Sequence, residues 1–226
     1  MIAPLDRPIW HALTGRQSRF AEARGQARRY AGDVSPFAAA SDDGAGPLRD
    51  LASLIGADQA VVLLQAGASP LPPATVAEMV AEAVQMVAHR LVHPQDDRAV
   101  SKLTDDDAPA MLELAALTRP GPFLPRTHRL GSFVGVRVEG RLVAMAGERM
   151  KLAGFTEVSG VCTHPEFRGR GYAGLLSQVV AARIEGRGET PFLHAYARNT
   201  GAIRLHEKLG FAHRAMMTVT VLRRGA

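Results

Sequence analysis

The segment 164–176, HPEFRGRGYAGLL, decides how the rest of the chain is interpreted. Its second residue, Pro165, stops an apolar run, and the segment leads into a second apolar run with helical spacing. Gly169, Gly171 and Gly174 spell G-x-G-x-x-G, the spacing of dinucleotide-binding loops, and two arginines lie among them. Small residues ahead of a helix leave backbone N–H groups accessible at its positive end. The segment therefore predicts a phosphate-binding loop.

The dinucleotide interpretation conflicts with the surrounding sequence. That motif needs its first glycine at the end of a strand and an acidic residue about 20 positions later. Here five residues separate Thr163, the end of the preceding strand, from Gly169. The next predicted strand, PFLHAYA, ends without Asp or Glu, and too little chain follows to complete a doubly wound sheet. The G-x-G-x-x-G match is therefore interpreted as accidental, and Gly174 as a helix-packing residue.

From residue 98 onward the sequence predicts the order β-α-β-β-β-α-β-α-β, with an irregular segment, RPGPFLPRTHRLG, after the first helix. Alternating residues on both sides of Glu139-Gly140 predict a hairpin. Residues 1–97 are less regular. VSPFAAA and QAVVLLQA predict short strands, QSRFAEARGQARRYA favours a helix, and VAEMVAEAVQMVAHRLV fits a helix or a strand. We expect two parts: an N-terminal α/β region, 1–97, acting as a degenerate second lobe or a lid, and a main domain, 98–226.

A second motif accompanies the loop. R-x-x-G-x-A (Arg168, Gly171, Ala173) is followed, after one more strand, by NTGAIRLHEKLGF. Together they resemble the acyl-CoA-binding motifs of the GNAT (Gcn5-related N-acetyltransferase) superfamily. The second segment is similar to that superfamily's N-x-x-A-x-x-x-Y-x-x-x-G-F element, with matches at Asn199, Ala202, Gly210 and Phe211, and with His206 where tyrosine is common. The sequences of the segments SGVCTHPEFRGRG and LHEKLGF are most similar to the FR47-like branch of the superfamily.

The resemblance covers residues 98–226 and implies an α/β (α+β) GNAT fold, a mixed and mostly antiparallel twisted sheet flanked by helices. It also implies acetyl-CoA as co-substrate, with the pyrophosphate on the loop amides and the pantetheine arm inserted between two strands like an added strand. The N–H of Val161 would donate to the thioester carbonyl oxygen. The residues that the resemblance assigns to the cofactor are Val161, Thr163, Arg168, Gly169, Arg170, Gly171, Tyr172, Ala173, Asn199, Ala202 and Lys208.

The implied reaction is direct transfer of an acetyl group to a primary amine. A protonated amine cannot attack, so a base is useful, either directly or through water. Glu157 occupies the base position of the lysine-acetylating branch, and Glu148 and water are the alternatives. His206 would protonate the departing thiolate or only pack along the cofactor. Cys162 is rejected as a nucleophile, because no oxyanion elbow surrounds it and direct transfer needs no acyl-enzyme.

Two other functions fit the same loop. One is an amino-acid N-acyltransferase that uses a longer acyl-CoA, and the other is a CoA-binding regulatory module without turnover. The expected acceptor is a small-molecule or peptide amine, chosen by the irregular segment after residue 118, by the hairpin and by the N-terminal region. The apolar run VAEMVAEAVQMVA could instead serve a homodimer interface.

Composition limits the remaining classes of partner. The net charge is +5, but the arginines are scattered, which favours an anionic small ligand over nucleic acid. The single cysteine excludes an internal disulfide framework and a cysteine-rich metal site, and no metal is expected. No apolar run reaches the 18 or more residues of a membrane span, and no leader pattern is visible. We expect a cytoplasmic protein without a membrane partner.

Overall fold

The computed structural model describes residues 4–57 and 59–225, which contain eleven strands and five α-helices. The strands are β1 (Ala21–Arg24), β2 (Ala27–Tyr30), β3 (Ala38–Ala40), β4 (Val61–Ala66), β5 (Thr75–Ala88), β6 (Val100–Leu103), β7 (Phe133–Val138), β8 (Arg141–Leu152), β9 (Phe155–Thr163), β10 (Thr190–Tyr196) and β11 (Phe211–Arg224). The helices are α1 (Pro8–Thr14), α2 (Ala45–Leu54), α3 (Ala108–Thr118), α4 (Tyr172–Glu185) and α5 (Thr200–Lys208).

One eight-stranded sheet organises the molecule, in the order β4-β11-β5-β10-β9-β8-β7-β6. All neighbours in it are antiparallel except β9 and β10, which are parallel. Strands β1 to β3 form a separate small sheet. This mixed, mostly antiparallel sheet flanked by helices confirms the predicted fold class. No helix in the described residues is long and apolar enough to span a membrane.

The large sheet continues across the boundary expected at residue 97/98. Strand β5 lies between β10 and β11 and pairs with β11 from Thr75 to Ala88. Strand β4 pairs with the other side of β11. The N-terminal region thus contributes two strands to the sheet that carries the phosphate loop. The segment VAEMVAEAVQMVAHRLV, which fitted a helix or a strand, contains most of β5. This strand is buried on both faces between Ala83 and Met86, and it therefore lacks the apolar–polar alternation that marks a half-buried strand.

Two local predictions have different outcomes. The helix favoured for QSRFAEARGQARRYA is wrong, because this segment forms the β1–β2 hairpin, with Gly25 at a φ of +45° in the turn. The hairpin predicted at Glu139-Gly140 is confirmed, with φ values of +50° and +80° at its two central residues. Both central residues of a type I′ turn take positive φ, which matches the right-handed twist of the flanking strands.

Helices cover both faces of the large sheet. Helices α4 and α5 pack on one face, where Leu176, Val180 and Ile203 meet Val84 and Leu193. Helix α1 packs on the other face with residues of the small sheet. Helix α3 lies over β7, β8 and β9, where Met111 and Leu114 are buried. Helix α2 closes the far edge against β4. This layering leaves the centre of the sheet, between β9 and β10, bordered by α4 and α5.

Candidate active site

Strands β9 and β10 separate in the middle of the sheet. They pair only from Thr190–Phe192 to Phe155–Glu157, and beyond Phe192 strand β10 pairs with β5 alone. A cavity of about 640 Å³ occupies the gap. It extends from the N-terminus of α4, past α5, to the opposite face of the sheet. Such a gap exposes strand edges to which an extended ligand can add.

The glycine-rich loop forms one end of this cavity. Gly169 and Gly171 have φ values of +77° and +80°, and Gly171 directly precedes α4. A Cβ at either position would meet no atom within 4 Å, so the backbone conformation, and not space, requires glycine there. The first amides of α4 have no acceptor within the helix and lie at its positive end. The loop therefore has the properties of an anion-binding site.

The two arginines of the loop differ in position. Arg168 lines the cavity, whereas Arg170 lies outside its lining and places its guanidinium 4.8 Å from the centre of the Phe167 ring. Gly174 is in the first turn of α4, and a Cβ there would lie 3.6 Å from Leu205 of α5. That contact agrees with the helix-packing interpretation of Gly174.

A bulge in β9 shapes the middle of the cavity. Ser159 pairs with Gly147 and Cys162 with Met145, so two residues of β9 lie opposite one residue of β8. One of these two, Gly160, has a φ of +64°. The other is Val161, which lines the cavity. A bulge releases backbone groups from the regular ladder and redirects them.

His206 borders the cavity from α5. Its Nδ1 lies 2.8 Å from the carbonyl oxygen of Ala202, so Nδ1 carries the hydrogen and donates it. Its Nε2 is buried and has no partner among the described residues. Burial lowers the pKa of His206, although the hydrogen bond to Ala202 opposes this shift. The neutral ring thus offers a lone pair at Nε2.

A second orphaned polar atom belongs to the same cavity. Thr163 at the end of β9 has a buried hydroxyl without a partner in the described part of the chain, and Thr163 lines the cavity. Asn199, also in the lining, uses its Oδ1 to cap α5 through the N–H of Ala202 at 3.2 Å. Buried polar atoms without partners are uncommon in folded proteins. Polar groups of a ligand in this cavity are therefore candidate partners for Thr163 and for His206.

Glu157 lies in a closed network behind the cavity. Its carboxylate is fully buried and accepts two hydrogen bonds from Arg149, at 2.7 and 2.6 Å. It also accepts from the Met150 N–H at 3.3 Å and from Nδ1 of His194 at 2.7 Å. Burial alone would raise the pKa of Glu157, but the charge and hydrogen bonds of Arg149, together with His194, bring that pKa down to about 2.

This geometry does not suit the base role expected for Glu157. Both carboxylate oxygens are engaged, the group does not line the cavity, and a carboxylate with so low a pKa binds a proton weakly. The alternative, Glu148, is also buried and outside the lining, and it pairs with Lys151 at 2.7 Å and Arg187 at 2.9 Å. Neither glutamate is part of the cavity lining.

The network around Glu157 was not predicted from the sequence. A bulge in β8 places Arg149 and Met150 together opposite Glu157, between the pairs formed by Glu148 and Lys151. His194 on β10 completes the network, because Nε2 of Gln85 lies 3.0 Å from its Nε2 and leaves Nδ1–H to donate to Glu157. Arg149 and His194 line the cavity. A strand is recognised in sequence by the alternation of apolar and polar residues. A bulge that brings these residues together does not change that pattern in a recognisable way, so the sequence could not predict the network.

The cavity collects most of the residues that the sequence assigned to the cofactor. Those in its lining are Val161, Thr163, Arg168, Gly169, Gly171, Tyr172, Ala173, Asn199 and Ala202, together with His206. Arg170 and Lys208 are not part of the lining. The irregular segment after α3 contributes Arg119 to Pro122, and Phe37 reaches the same space from the N-terminal region.

The comparisons with known proteins agree with this geometry. The profile of the family described as FR47-like protein matches residues 133–220. A solved structure from Novosphingobium aromaticivorans, assigned to the acetyltransferases of the GNAT family, is 45% identical over 100% of both chains, with a TM-score of 0.94. The chain belongs to the GNAT family. A GCN5-related N-acetyltransferase from Kribbella flavida shares this GNAT fold at 18% identity, with a TM-score of 0.59 over 93% of this chain and 91% of that one. No curated protein gave a significant match.

Proposed function

We propose that this GNAT protein transfers an acetyl group from acetyl-CoA to a primary amine by direct attack. The observation that carries the proposal is that one cavity is lined by the glycine-rich loop, by the gap between β9 and β10, and by His206, whose buried Nε2 has no partner among the described residues. An extended thioester with a phosphate at one end matches these three features. Membership of the GNAT family supports the same class of reaction.

Binding would use mostly backbone groups. The pyrophosphate is proposed to lie on the amides of loop 168–173, with Arg168 adding charge. The pantetheine amides would pair with the exposed edge of β9 at Val161 and Thr163. The N–H of Val161, which lies in the bulge of β9, would donate to the thioester oxygen as that oxygen gains negative charge.

His206 is the proposed proton carrier. The amine nitrogen forms a bond to the thioester carbon, and the C–S bond then breaks. Nε2 of neutral His206 would take the proton from the nitrogen and return it to the leaving sulfur. In this proposal Nε2 of His206 first accepts a proton from the amine and only then acts as the acid toward the thiolate. The Nδ1 hydrogen does not serve as the acid because it is hydrogen-bonded to the carbonyl oxygen of Ala202. Glu157 would hold Arg149 and His194 in position instead of acting as the base.

The test is the release of free CoA. Purified protein is incubated with acetyl-CoA and a panel of primary amines, amino acids and short peptides, and free thiol is measured with and without acceptor. We expect release that depends on the amine, with the acetylated product identified by mass spectrometry. Tight acetyl-CoA binding without release for any acceptor would contradict the proposal and support a CoA-binding module without turnover. The homodimer and the cytoplasmic location stay predictions.

A further inference from the structure

The end of the cavity remote from the glycine-rich loop has a uniform chemical character. Its lining on β4, β5 and β11 consists of apolar side chains alone, contributed by Val62, Leu64, Ala83, Val219 and Val221. Phe37, which bridges to β4 from the N-terminal region, covers the same space. We call this part the apolar chamber.

Strand pairing explains why these side chains converge. Val62 pairs with Val221 and Leu64 pairs with Val219, so the four project from one face of two neighbouring strands. Ala83 is on the next strand, and the spatial order β10-β5-β11-β4 continues the chamber outward from the gap. Strand β4 lies three strand spacings from β10, so the distance across the sheet from β10 to β4 is about 14 Å.

Charged groups are confined to the near end of the chamber. Arg149 lies where the chamber meets the gap, with its guanidinium 4.7 Å from the centre of the Phe37 ring. Its charge is balanced by Glu157. The near end is therefore electrically compensated, and the strands beyond it offer no polar side chain to the cavity.

An acetyl group is too short to use this space. It extends beyond its carbonyl carbon by one C–C bond, about 1.5 Å. Apolar walls that remain in contact with water are unfavourable, and filling them with apolar atoms is the strongest non-directional source of affinity.

We infer that the apolar chamber binds an extended apolar chain, carried either by the acyl group of the thioester or by the amine acceptor. This inference rests on the proposed function in its general form, acyl transfer from a CoA thioester to an amine. A chain on the amine leaves acetyl-CoA as the donor, whereas a chain on the acyl group replaces acetyl-CoA by a longer acyl-CoA. The shared chemistry is an unbranched or aromatic hydrocarbon group that enters from the gap and runs across β5 and β11 toward β4.

Two series of binding measurements separate the sources. In the first, S-ethyl-, S-butyl-, S-hexyl- and S-octyl-CoA thioethers, which cannot transfer their alkyl group, are titrated by calorimetry. In the second, ethylamine to octylamine are titrated into protein saturated with CoA. We expect affinity in one series to rise about fourfold for each added methylene until the chamber is filled, and the other series to stay flat. The series that rises identifies the reactant that carries the chain.

Substitutions that narrow the chamber test the inference directly, and a substitution on the opposite face of β5 is the control. Val221→Phe narrows the chamber and should weaken the octyl probe of the rising series by about tenfold or more, with little effect on the ethyl probe. Val80→Phe is the control: Val80 pairs with Thr220, projects from the other face of β5 and is 64% exposed. If Val221→Phe lowers the melting temperature strongly, Val62→Phe narrows the same space from the neighbouring strand.

Two results overturn the inference: flat affinities in both series, or a length dependence that Val221→Phe and Val62→Phe leave unchanged in folded protein. Neither result depends on turnover, so the proposed function is judged separately. Chain-length-dependent binding without CoA release from any acyl donor and amine would contradict the proposed function and leave the chamber assignment in place.

Discussion

At the scale of single residues, one backbone contact sets the chemistry of His206. The Ala202 carbonyl fixes the hydrogen on Nδ1, and the buried Nε2 keeps a lone pair that has no partner in the described part of the chain. A tyrosine at this position would offer a hydroxyl that donates and accepts, whereas neutral His206 begins as an acceptor. The sequence motif predicts the position, and the tautomer is the basis of the proposed direction of proton movement.

Replacing His206 by Phe should remove this acceptor without disturbing the apolar side of the ring, which packs edge-on against Phe211 at 5.8 Å. We expect kcat to fall by about 10²-fold or more, as for loss of a general acid–base group, while the Kd for CoA changes little. Steady-state kinetics and calorimetry measure the two quantities. His213→Phe, at an exposed histidine of β11, is the control. An unchanged kcat for His206→Phe would contradict the proposed role.

The pH profile offers a second test of His206. Because burial lowers the pKa of His206 below its usual value near 6.5, the protonated form accumulates only at more acidic pH. We expect kcat/KM to decline as pH falls through that lowered pKa, and this part of the profile to disappear in His206→Phe. The unfolded chain binds the same proton more readily, so stability should also fall as pH drops below about 6.5. An identical acid decline in the variant would refute the assignment.

Glu157 tests the difference between a base and a positioning residue. Glu157→Gln leaves the Arg149 charge buried without its counterion, so we expect the free energy of unfolding to fall by about 3–5 kcal/mol, measured in urea. The kcat of the folded protein should stay within about threefold. Glu113→Gln, at an exposed position of α3, should change neither quantity. Intact stability with a large loss of kcat would return Glu157 to the role of base.

At the scale of elements, the junction between the glycine-rich loop and α4 connects backbone conformation to ligand binding. Gly171 has a left-handed φ of +80° directly before the first amides of α4, where the proposed function places the pyrophosphate. Gly174 lies three residues later, inside the helix, where an added Cβ makes only an ordinary contact with Leu205. Two glycines of one sequence pattern therefore have different physical requirements.

Gly171→Ala should weaken CoA binding by about tenfold, because the left-handed conformation costs a residue with a Cβ about 1–2 kcal/mol. Gly46→Ala is the control and should bind CoA as the unmodified protein does, because Gly46 lies on an exposed part of α2 where an added Cβ would meet no atom within 4 Å. Calorimetric titration with CoA measures both. Equal losses in the two variants, or none in Gly171→Ala, would contradict an anion site built on the backbone of this loop.

The elements also show why site geometry was less predictable than site position. The loop, α4 and α5 follow from local patterns: glycines before a helix, apolar residues at helical spacing, and Asn199 as a cap. The bulges in β8 and β9 are set by how two strands pair, and pairing is not encoded in either strand alone. The burial of Glu157 depends on the first bulge and the placement of Val161 on the second.

At the scale of the whole molecule, the N-terminal region is part of the sheet. Strand β5 joins β10 to β11, so a chain that starts at residue 98 would leave the facing edges of both strands unpaired. The same region supplies Phe37, Leu64 and Ala83 to the cavity. Leu64 and Ala83 reach the cavity from strands of the central sheet, and Phe37 reaches it from a segment that bridges to β4.

We expect a 98–226 fragment to be insoluble, or to lack a cooperative unfolding transition, because removing β5 breaks the centre of the sheet. Circular dichroism during thermal unfolding, with the 226-residue chain as the control, measures this. A fragment that unfolds cooperatively and binds CoA would instead support the predicted division into two parts at residue 97/98.

The segment HPEFRGRGYAGLL and its partner NTGAIRLHEKLGF predicted the family, the glycine-rich loop proposed to bind phosphate, and the position of His206, because those features depend on residues close together in the chain. The tertiary structure alone decided the placement of β5, the pairing of Glu157 with Arg149 and the apolar chamber. Each of these joins residues from distant parts of the chain. Strand order and bulges bring them together, and a local pattern in sequence does not record which strand will lie beside which.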